Sequence, residues 1–449
     1  TLSMWNWLQL ERCRQMSNSN AIPPDQEQRD IILNDLDTTI LVEAAAGTGK
    51  TTSMVGRMVN LISNGKASID AIAAVTFTRK SAAELRSRFQ VHLENSVKNT
   101  KDSAKKARLQ AAVDHIERCF IGTIHSFCGQ MLRDRPVEAG VDIQFVEIDD
   151  EQDKELRSAA WREYVSELYK GDSPVLTELE SLGVEIGQLE PSFMTLCDYP
   201  DVDNWPADPQ PVPEIDKNLI LLEDYCMHME EVSVSLPEET GSDSLIPKYR
   251  SIPLMYRQAQ HRNEPHDFMA IFEEFLSNVK PTKKLWKTSP VKPDDELERW
   301  NDFRDNFAAP LVKQWKEFLY EPLLRAITGA IVYYDRIRTE AGMLNFQDLL
   351  LKASRLLQNY PEIRRYFRQT YSHILVDEFQ DTDPIQAEVM LYMTSDDVQE
   401  KDWRKLQPHP GSLFVVGDPK QSIYRFRRAD IITYNRVRDI ILSSGGRVV

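Results

Sequence analysis

The stretch AAAGTGKT, residues 44–51, constrains this chain more than any other. It follows TTILVE, residues 38–43, a β-branched and apolar run that reads as a buried strand. It precedes TSMVGRMVNLI, residues 52–62, whose apolar residues recur at helical spacing and which stops at Asn64-Gly65, a helix C-terminal signal. Strand, glycine turn and helix together are the setting of a phosphate-binding loop. Gly47 and Gly49 let the backbone curl, so that N–H groups along Ala45, Ala46, Gly47, Thr48 and Gly49 and into Thr52 converge on one anion. The helix N-terminus adds its partial positive charge. Lys50 is placed for the β- and γ-phosphates, and the Thr51 hydroxyl for Mg²⁺. Ala44 stands where the generic pattern has its first glycine.

The rest of the chain supplies a sheet for that loop. IPPDQEQRDII, residues 22–32, reads as a helix leading to the first strand, and AIAAVTF, residues 71–77, as a second buried strand. TRKSAAELRSRF follows as a helix, with Ser81 and Glu84 at capping-box spacing. A polar, lysine-rich helical stretch at 94–118 leads to a short strand and the turn GTIHSF, residues 122–127. HILVD at 373–377 and SLFVVGD at 412–418 are continuous apolar runs, as strands covered on both faces should be. Asp383-Pro384 opens a helix with Gln386 as cap partner; residues 430–442 form a last helix ended by Gly445-Gly446, and RVV begins another strand.

Between these halves the character changes. Residues 141–336 are rich in acidic residues, Trp and Tyr, with helical periodicity around 154–168 and 311–337, a proline-punctuated section at 191–213, and no glycine loop. The expected fold class is therefore α/β, a parallel sheet flanked by helices and interrupted by a large, mostly α-helical inserted domain. The expected division is an N-terminal extension over 1–20, a first part of the sheet domain over 21–140, the insert over 141–336 and the second part over 337–449. With 449 residues, more than one core is required.

Two acids end the HILVD strand, Asp377 and Glu378. At the carboxyl edge of a parallel sheet they face the same crevice as the glycine loop. There Asp377 suits the Mg²⁺ shell, and Glu378 suits orienting and deprotonating an attacking water. A third element is GDPKQSIYRFRRAD at 417–430. Gln421 lies just past a strand end, where its amide is placed to sense a γ-phosphate. Tyr424 and Phe426 alternate with Arg425, Arg427 and Arg428. That alternation suits single-stranded nucleic acid, with bases on rings and guanidinium groups on phosphates; it suits equally an aromatic pair in a core with arginines in solvent. A net charge of −16 does not announce a nucleic-acid binder, although a local basic stripe is enough for one. The five cysteines form no CxxC pair, which argues against a zinc ribbon or disulfide framework and for a reducing compartment. The opening TLSMWNWLQLERC has neither the basic head nor the apolar core of a signal peptide, and no apolar run approaches a membrane span. A cytoplasmic protein without membrane contact is expected.

Taken in order, AAAGTGKT, TFTRKSAAELRSRF, GTIHSF, NFQDLLL, VDEFQDT and GDPKQSIYRFRRAD make the chain resemble UvrD/Rep-type superfamily-one DNA helicases. The TFTRK and YRFR wording and the long insert resemble most the RecB/AddA branch. These motifs cover both ends of the chain and skip the middle. The resemblance implies a RecA-like domain, ATP and Mg²⁺ as cofactors, and ATP hydrolysis coupled to 3′-to-5′ movement on single-stranded or partly duplex DNA in repair or recombination. It implies an ATPase centre of Lys50, Thr51, Asp377, Glu378 and Gln421. The implied DNA path comprises Thr76, Phe77, Arg79, His125, Tyr424, Phe426 and Arg427, and Gln26 or Gln28 is the implied adenine contact. Arg428 stands where relatives often have glycine. The family's second RecA-like domain, which supplies arginines to the γ-phosphate, is expected in cis beyond this chain, and the resemblance implies a helicase-nuclease partner subunit as a further possible partner. Without that domain, slow hydrolysis is expected, since an absent arginine finger typically costs about 10³–10⁵-fold. The alternative reading is a regulatory ATP switch or scaffold that binds DNA or a partner without unwinding.

Overall fold

A computed structural model of the protein describes residues 25–45, 48–202, 205, 208–421 and 431–449. The chain divides into two compact units, one from Thr1–Glu147 with Leu344–Val449 and one from Ile148–Met343.

The first unit is built on six parallel strands: β1 (Ile40–Glu43), β2 (Ile72–Thr76), β3 (Phe120–Thr123), β4 (His373–Val376), β5 (Leu413–Gly417) and β6 (Arg447–Val448). They lie in the order β3-β2-β4-β5-β1-β6. Successive side chains of a strand point to opposite faces, and here both faces are covered. Leu41, Val75, Ile374, Val376 and Val415 enter one core with helices Ile124–Asp134, Phe346–Asn359, Pro384–Thr394 and Ile431–Ser443. Ile40, Val42, Ala74, Leu375, Phe414 and Val416 enter the other with helices Lys50–Ser63, Arg79–Asn99 and Ser103–Asp114. This double burial is why the strands read as unbroken apolar runs. The fold class is the α/β parallel sheet expected, and the parallel order brings every strand's carboxyl end to one edge.

Two local expectations are corrected. Residues 94–118 are not one helical stretch: Arg79–Asn99 ends at Thr100, and Asp102 caps a separate helix Ser103–Asp114 by accepting from Ala104 N (2.8 Å) and Lys105 N (3.0 Å). The helix after β2 is capped not by Ser81 but by Thr78, whose extended φ/ψ of −123°/152° is the geometry an N-cap needs. Ser81 lies inside that helix and donates its N–H to Thr78 Oγ1 at 3.0 Å, while Glu84 pairs with Arg88.

Arg57 staples the helix that follows the glycine loop to the chain entering β1. Its guanidinium is wholly buried, donates to the carbonyls of Ile32 (2.9 Å), Asp35 (2.8 Å) and Thr38 (3.0 Å), and lies 5.0 Å over the Phe414 ring. Burial pulls its pKa down to about 10, so it stays charged at neutral pH. Arg57→Met leaves three carbonyls without a donor; a loss of about 3–5 kcal/mol is expected. Denaturant titration checks this, and a variant as stable as wild type would remove Arg57 from the account.

The second unit is mostly helical among its described residues, packed in two cores along the 32-residue helix Ala309–Glu340. Its buried Glu296 accepts from Tyr249 Oη (2.6 Å) and meets His228 Nε2 at 2.8 Å, so the buried carboxyl group has hydrogen-bond partners. Among the described residues no helix is long and apolar enough to cross a membrane.

Candidate functional site

The carboxyl ends of β1, β4 and β5 converge on one site. Past β1, the Ala44 N–H continues the ladder by donating to Gly417 O at 3.1 Å. Ala44 has no positive φ, so a Cβ is tolerated where the generic loop has glycine. Gly49 does need its freedom: its φ is +95°, and it is the N-cap of helix Lys50–Ser63. Among the described residues no side chain caps that helix, and its first N–H groups are available to an incoming anion. Thr48 Oγ1 donates back to Ala45 O at 2.7 Å, and Arg29 Nη2 donates to Thr48 O at 2.9 Å while paired with Asp25. Arg29 thus anchors the loop from helix Gln26–Asn34. Gln26 on the same helix donates instead to Asp30, and Gln28 is exposed. Thr51 is half-buried in the first helical turn and Thr52 is exposed. Ala46 and Gly47 lie outside the described residues.

At the end of β4 the Asp377 N–H donates to Val75 O at 2.9 Å, and the chain then turns sharply. Glu378 adopts φ +53° and ψ +43°, the left-handed region that costs a non-glycine residue about 1–2 kcal/mol. Its N–H returns to Asp377 Oδ1 at 3.0 Å. The turn swings the Glu378 carboxylate to Lys50, with Nζ and Oε2 3.2 Å apart across 328 positions of sequence. Asp377 is buried; burial first, and then the Glu378 charge, push its pKa up to about 6. The same two causes push Asp381 up to about 6, and its Oδ1 is buried without a hydrogen-bond partner among the described residues.

Past β5, Gln421 Nε2 donates to Asp418 Oδ2 at 2.7 Å, so its amide donor is held locally. Gln380 spans the two strand ends: its Nε2 donates to Glu378 Oε2 at 2.8 Å and its Oε1 accepts from the Asp418 N–H at 2.9 Å. The residues expected along a DNA path follow the carboxyl ends of β2 and β3. Thr76 is buried with its hydroxyl donating to Thr78 O at 3.0 Å, Phe77 is half-buried, and Arg79 is exposed at the first helical position. His125 is half-buried, its ring 5.2 Å from that of Phe346. Tyr424, Phe426, Arg427 and Arg428 lie outside the described residues, as do Trp5 and Trp7.

One lysine faces three carboxylates beside an uncapped helix N-terminus. Two of those acids are held above the ordinary carboxylate range, and one carries an oxygen with no partner among the described residues. A hard divalent cation accompanying a polyphosphate would offset both features, and the oxygen donors of Asp377 and Thr51 are the kind Mg²⁺ takes. Gln380, Asp381 and Arg29 are the site residues that sequence reasoning missed. The polar pair Gln380-Asp381, a few residues past a buried strand in VDEFQDT, was the available signal, while Arg29 carried none.

Comparison with known proteins agrees with this geometry. The family described as UvrD/REP helicase N-terminal domain matches residues 25–440. Bacterial proteins named as subunits of an ATP-dependent helicase/nuclease are similar over most of the chain. The one from Pediococcus pentosaceus is 25% identical over 445 residues, which is 89% of this chain and 35% of that protein. The one from Bacillus pumilus is 27% identical over 443 residues, 87% of this chain and 34% of the relative. A third, from Alkaliphilus metalliredigens, is 27% identical over 437 residues. The chain thus spans 35% and 34% of the length of the first two relatives. These relatives agree with the RecB/AddA branch that the TFTRK and YRFR wording and the long insert resemble. With a match across nearly all its described residues, and with the glycine loop and the acid pair brought face to face, the chain belongs to the UvrD/REP helicase N-terminal domain family.

Proposed function

We propose that this chain is the ATP-binding motor portion of an ATP-dependent DNA helicase or translocase of repair or recombination. On this reading it acts in the cytoplasm and moves 3′ to 5′ on single-stranded or partly duplex DNA. Its partners are a second RecA-like domain in cis and a nuclease activity in the same assembly. The observation that carries the reading is the apposition of Lys50 and Glu378 at the uncapped start of helix Lys50–Ser63.

The residues divide the work by position. The loop amides and Lys50 hold the β- and γ-phosphates; in doing so Lys50 leaves Glu378. Glu378, half-exposed at the crevice, is then free to orient a water and accept its proton. Asp377 and Thr51 would hold Mg²⁺, which supplies charge neutralisation at the phosphoryl oxygens. Gln421 is on the turn that would meet the γ-phosphate, and Thr76, Phe77, Arg79 and His125 lie at the same sheet edge for the DNA strand.

ATP turnover measured with and without single-stranded DNA tests the proposal. Stimulation of at least about tenfold is expected, because DNA and ATP share one sheet edge. Nucleotide binding with no stimulation by DNA would instead favour an ATP switch that does not translocate.

A further inference from the structure

Helix Gln26–Asn34 lies close against helix Lys50–Ser63 because Gly56 has no side chain: a Cβ built there would come within 2.6 Å of Leu33 Cδ2. The second helix locks this contact from its own side. Arg57 donates to Ile32 O (2.9 Å) and Asp35 O (2.8 Å), and Asn60 Nδ2 donates to Leu33 O at 2.8 Å. Toward its other end the clamped helix carries Arg29 to the glycine loop, where Nη2 donates to Thr48 O at 2.9 Å. Asp25, one turn earlier, takes Nε at 3.0 Å and Nη2 at 2.8 Å and so fixes the plane of the guanidinium. Nη1 lies against the next residue of the loop, since a Cβ on Gly49 would sit 3.5 Å from it.

The Arg29 and Asp25 side chains are 33% and 47% exposed, and an ion pair that open to water adds little to folding stability. Its consequence is directional. A trans peptide is planar, with its C=O and N–H pointing opposite ways. A Thr48 carbonyl drawn toward Arg29 therefore turns the Gly49 N–H away from Arg29. The Thr48 hydroxyl donates to Ala45 O at 2.7 Å, which holds that side chain back on the loop as well. Gly49, at φ +95°, then leads directly into helix Lys50–Ser63.

We infer that Arg29 is a positioning residue: by holding the Thr48 carbonyl it presents the Gly49 N–H to the triphosphate, and it does so without touching the nucleotide's base. The inference rests on the proposed ATPase reading of the site. Asp25 matters as much as the reach of the guanidinium, because its charge keeps Arg29 on the carbonyl instead of on the phosphates. The N–H is in place before nucleotide arrives and stays there through turnover. Its loss therefore weakens the ground state and the transition state alike, which raises KM and leaves kcat nearly unchanged.

The test is steady-state ATP turnover of the purified protein for wild type, Arg29→Ala and Arg29→Lys, with inorganic tripolyphosphate as a competitor. In Arg29→Ala the KM for ATP is expected to rise about tenfold, the size of one lost charge-assisted hydrogen bond, while kcat moves less than about threefold. The inhibition constant of tripolyphosphate should rise by the same factor, since the contact serves phosphates alone. Arg29→Lys keeps one donor for the Thr48 carbonyl but cannot fork onto Asp25, and should recover part of the loss. A general loosening of the fold would instead lower the amount of active enzyme, and with it kcat. An unchanged KM in Arg29→Ala overturns the inference while the site reading stands. A KM raised for ATP with tripolyphosphate inhibition unchanged also overturns it, by making Arg29 a contact of the base or ribose. If wild type neither binds nor hydrolyses ATP, the site reading falls and the positioning role with it.

Discussion

Glu378→Gln is expected to lower ATP turnover about 10³-fold while leaving nucleotide affinity equal or a few-fold tighter. The loss follows from removing the group placed to take the water's proton, a contribution of about 10²–10⁴. The affinity prediction follows from the ion pair. Lys50 Nζ lies 3.2 Å from Glu378 Oε2, and the Lys50 side chain is only 9% exposed, so this contact must break before Lys50 meets a phosphate. A neutral amide holds Lys50 less strongly and so removes a competitor for the nucleotide. Glutamine keeps the side-chain length and tolerates the same left-handed turn, so the folded structure should persist. Titration of a fluorescent ATP analogue beside turnover measurements separates the two effects. Undiminished turnover would strip Glu378 of its role.

Asp377→Asn is expected to stabilise the protein at pH 8 while abolishing magnesium-dependent turnover. Asp377 has a folded-state pKa near 6 against an ordinary 3.8, raised first by burial and then by Glu378. Below about pH 4 the acid is protonated in both folded and unfolded chains. Between 4 and 6 the folded chain keeps a proton that the unfolded chain releases. Stability from this group is therefore full at low pH and is lost as pH rises through 6. Two pK units correspond to about 3 kcal/mol at most, and the Glu378 N–H bond to Oδ1 survives in asparagine. The expected gain is about 1–2 kcal/mol at pH 8, or several degrees in Tm. The gain should vanish near pH 4. In the wild type, the same protonation should weaken magnesium-dependent nucleotide binding below about pH 6. Melting curves at the two pH values decide the matter: a variant less stable at pH 8 contradicts a strained, buried carboxylate at this position.

Much of the sheet was legible beforehand because double burial leaves a strong mark. Strands β1, β2, β4 and β5 each fell inside an apolar run marked in the sequence, since alternate residues must satisfy two cores. The parallel α/β class followed from the same runs. Helix boundaries were less legible where caps compete: Thr78 and Ser81 both carry a hydroxyl, and only the extended backbone at Thr78 decides between them. The break at residues 100–102 was hidden because polar helices on both sides share one composition.

The sequence by itself determined the chemistry on offer: a glycine loop with Lys50 and Thr51, an acid pair after an apolar strand, and a polar turn after another. Local sequence carries this because phosphate-binding loops and buried strands are built from near neighbours. Only the tertiary structure decided which of these groups meet. The ion pair across 328 positions, the left-handed turn at Glu378, the Gln380 bridge and the Arg29 anchor on Thr48 all join strand ends or helices distant in the chain. Such contacts are set by sheet order and packing, which place β5 between β1 and β4, and no short-range pattern encodes that order.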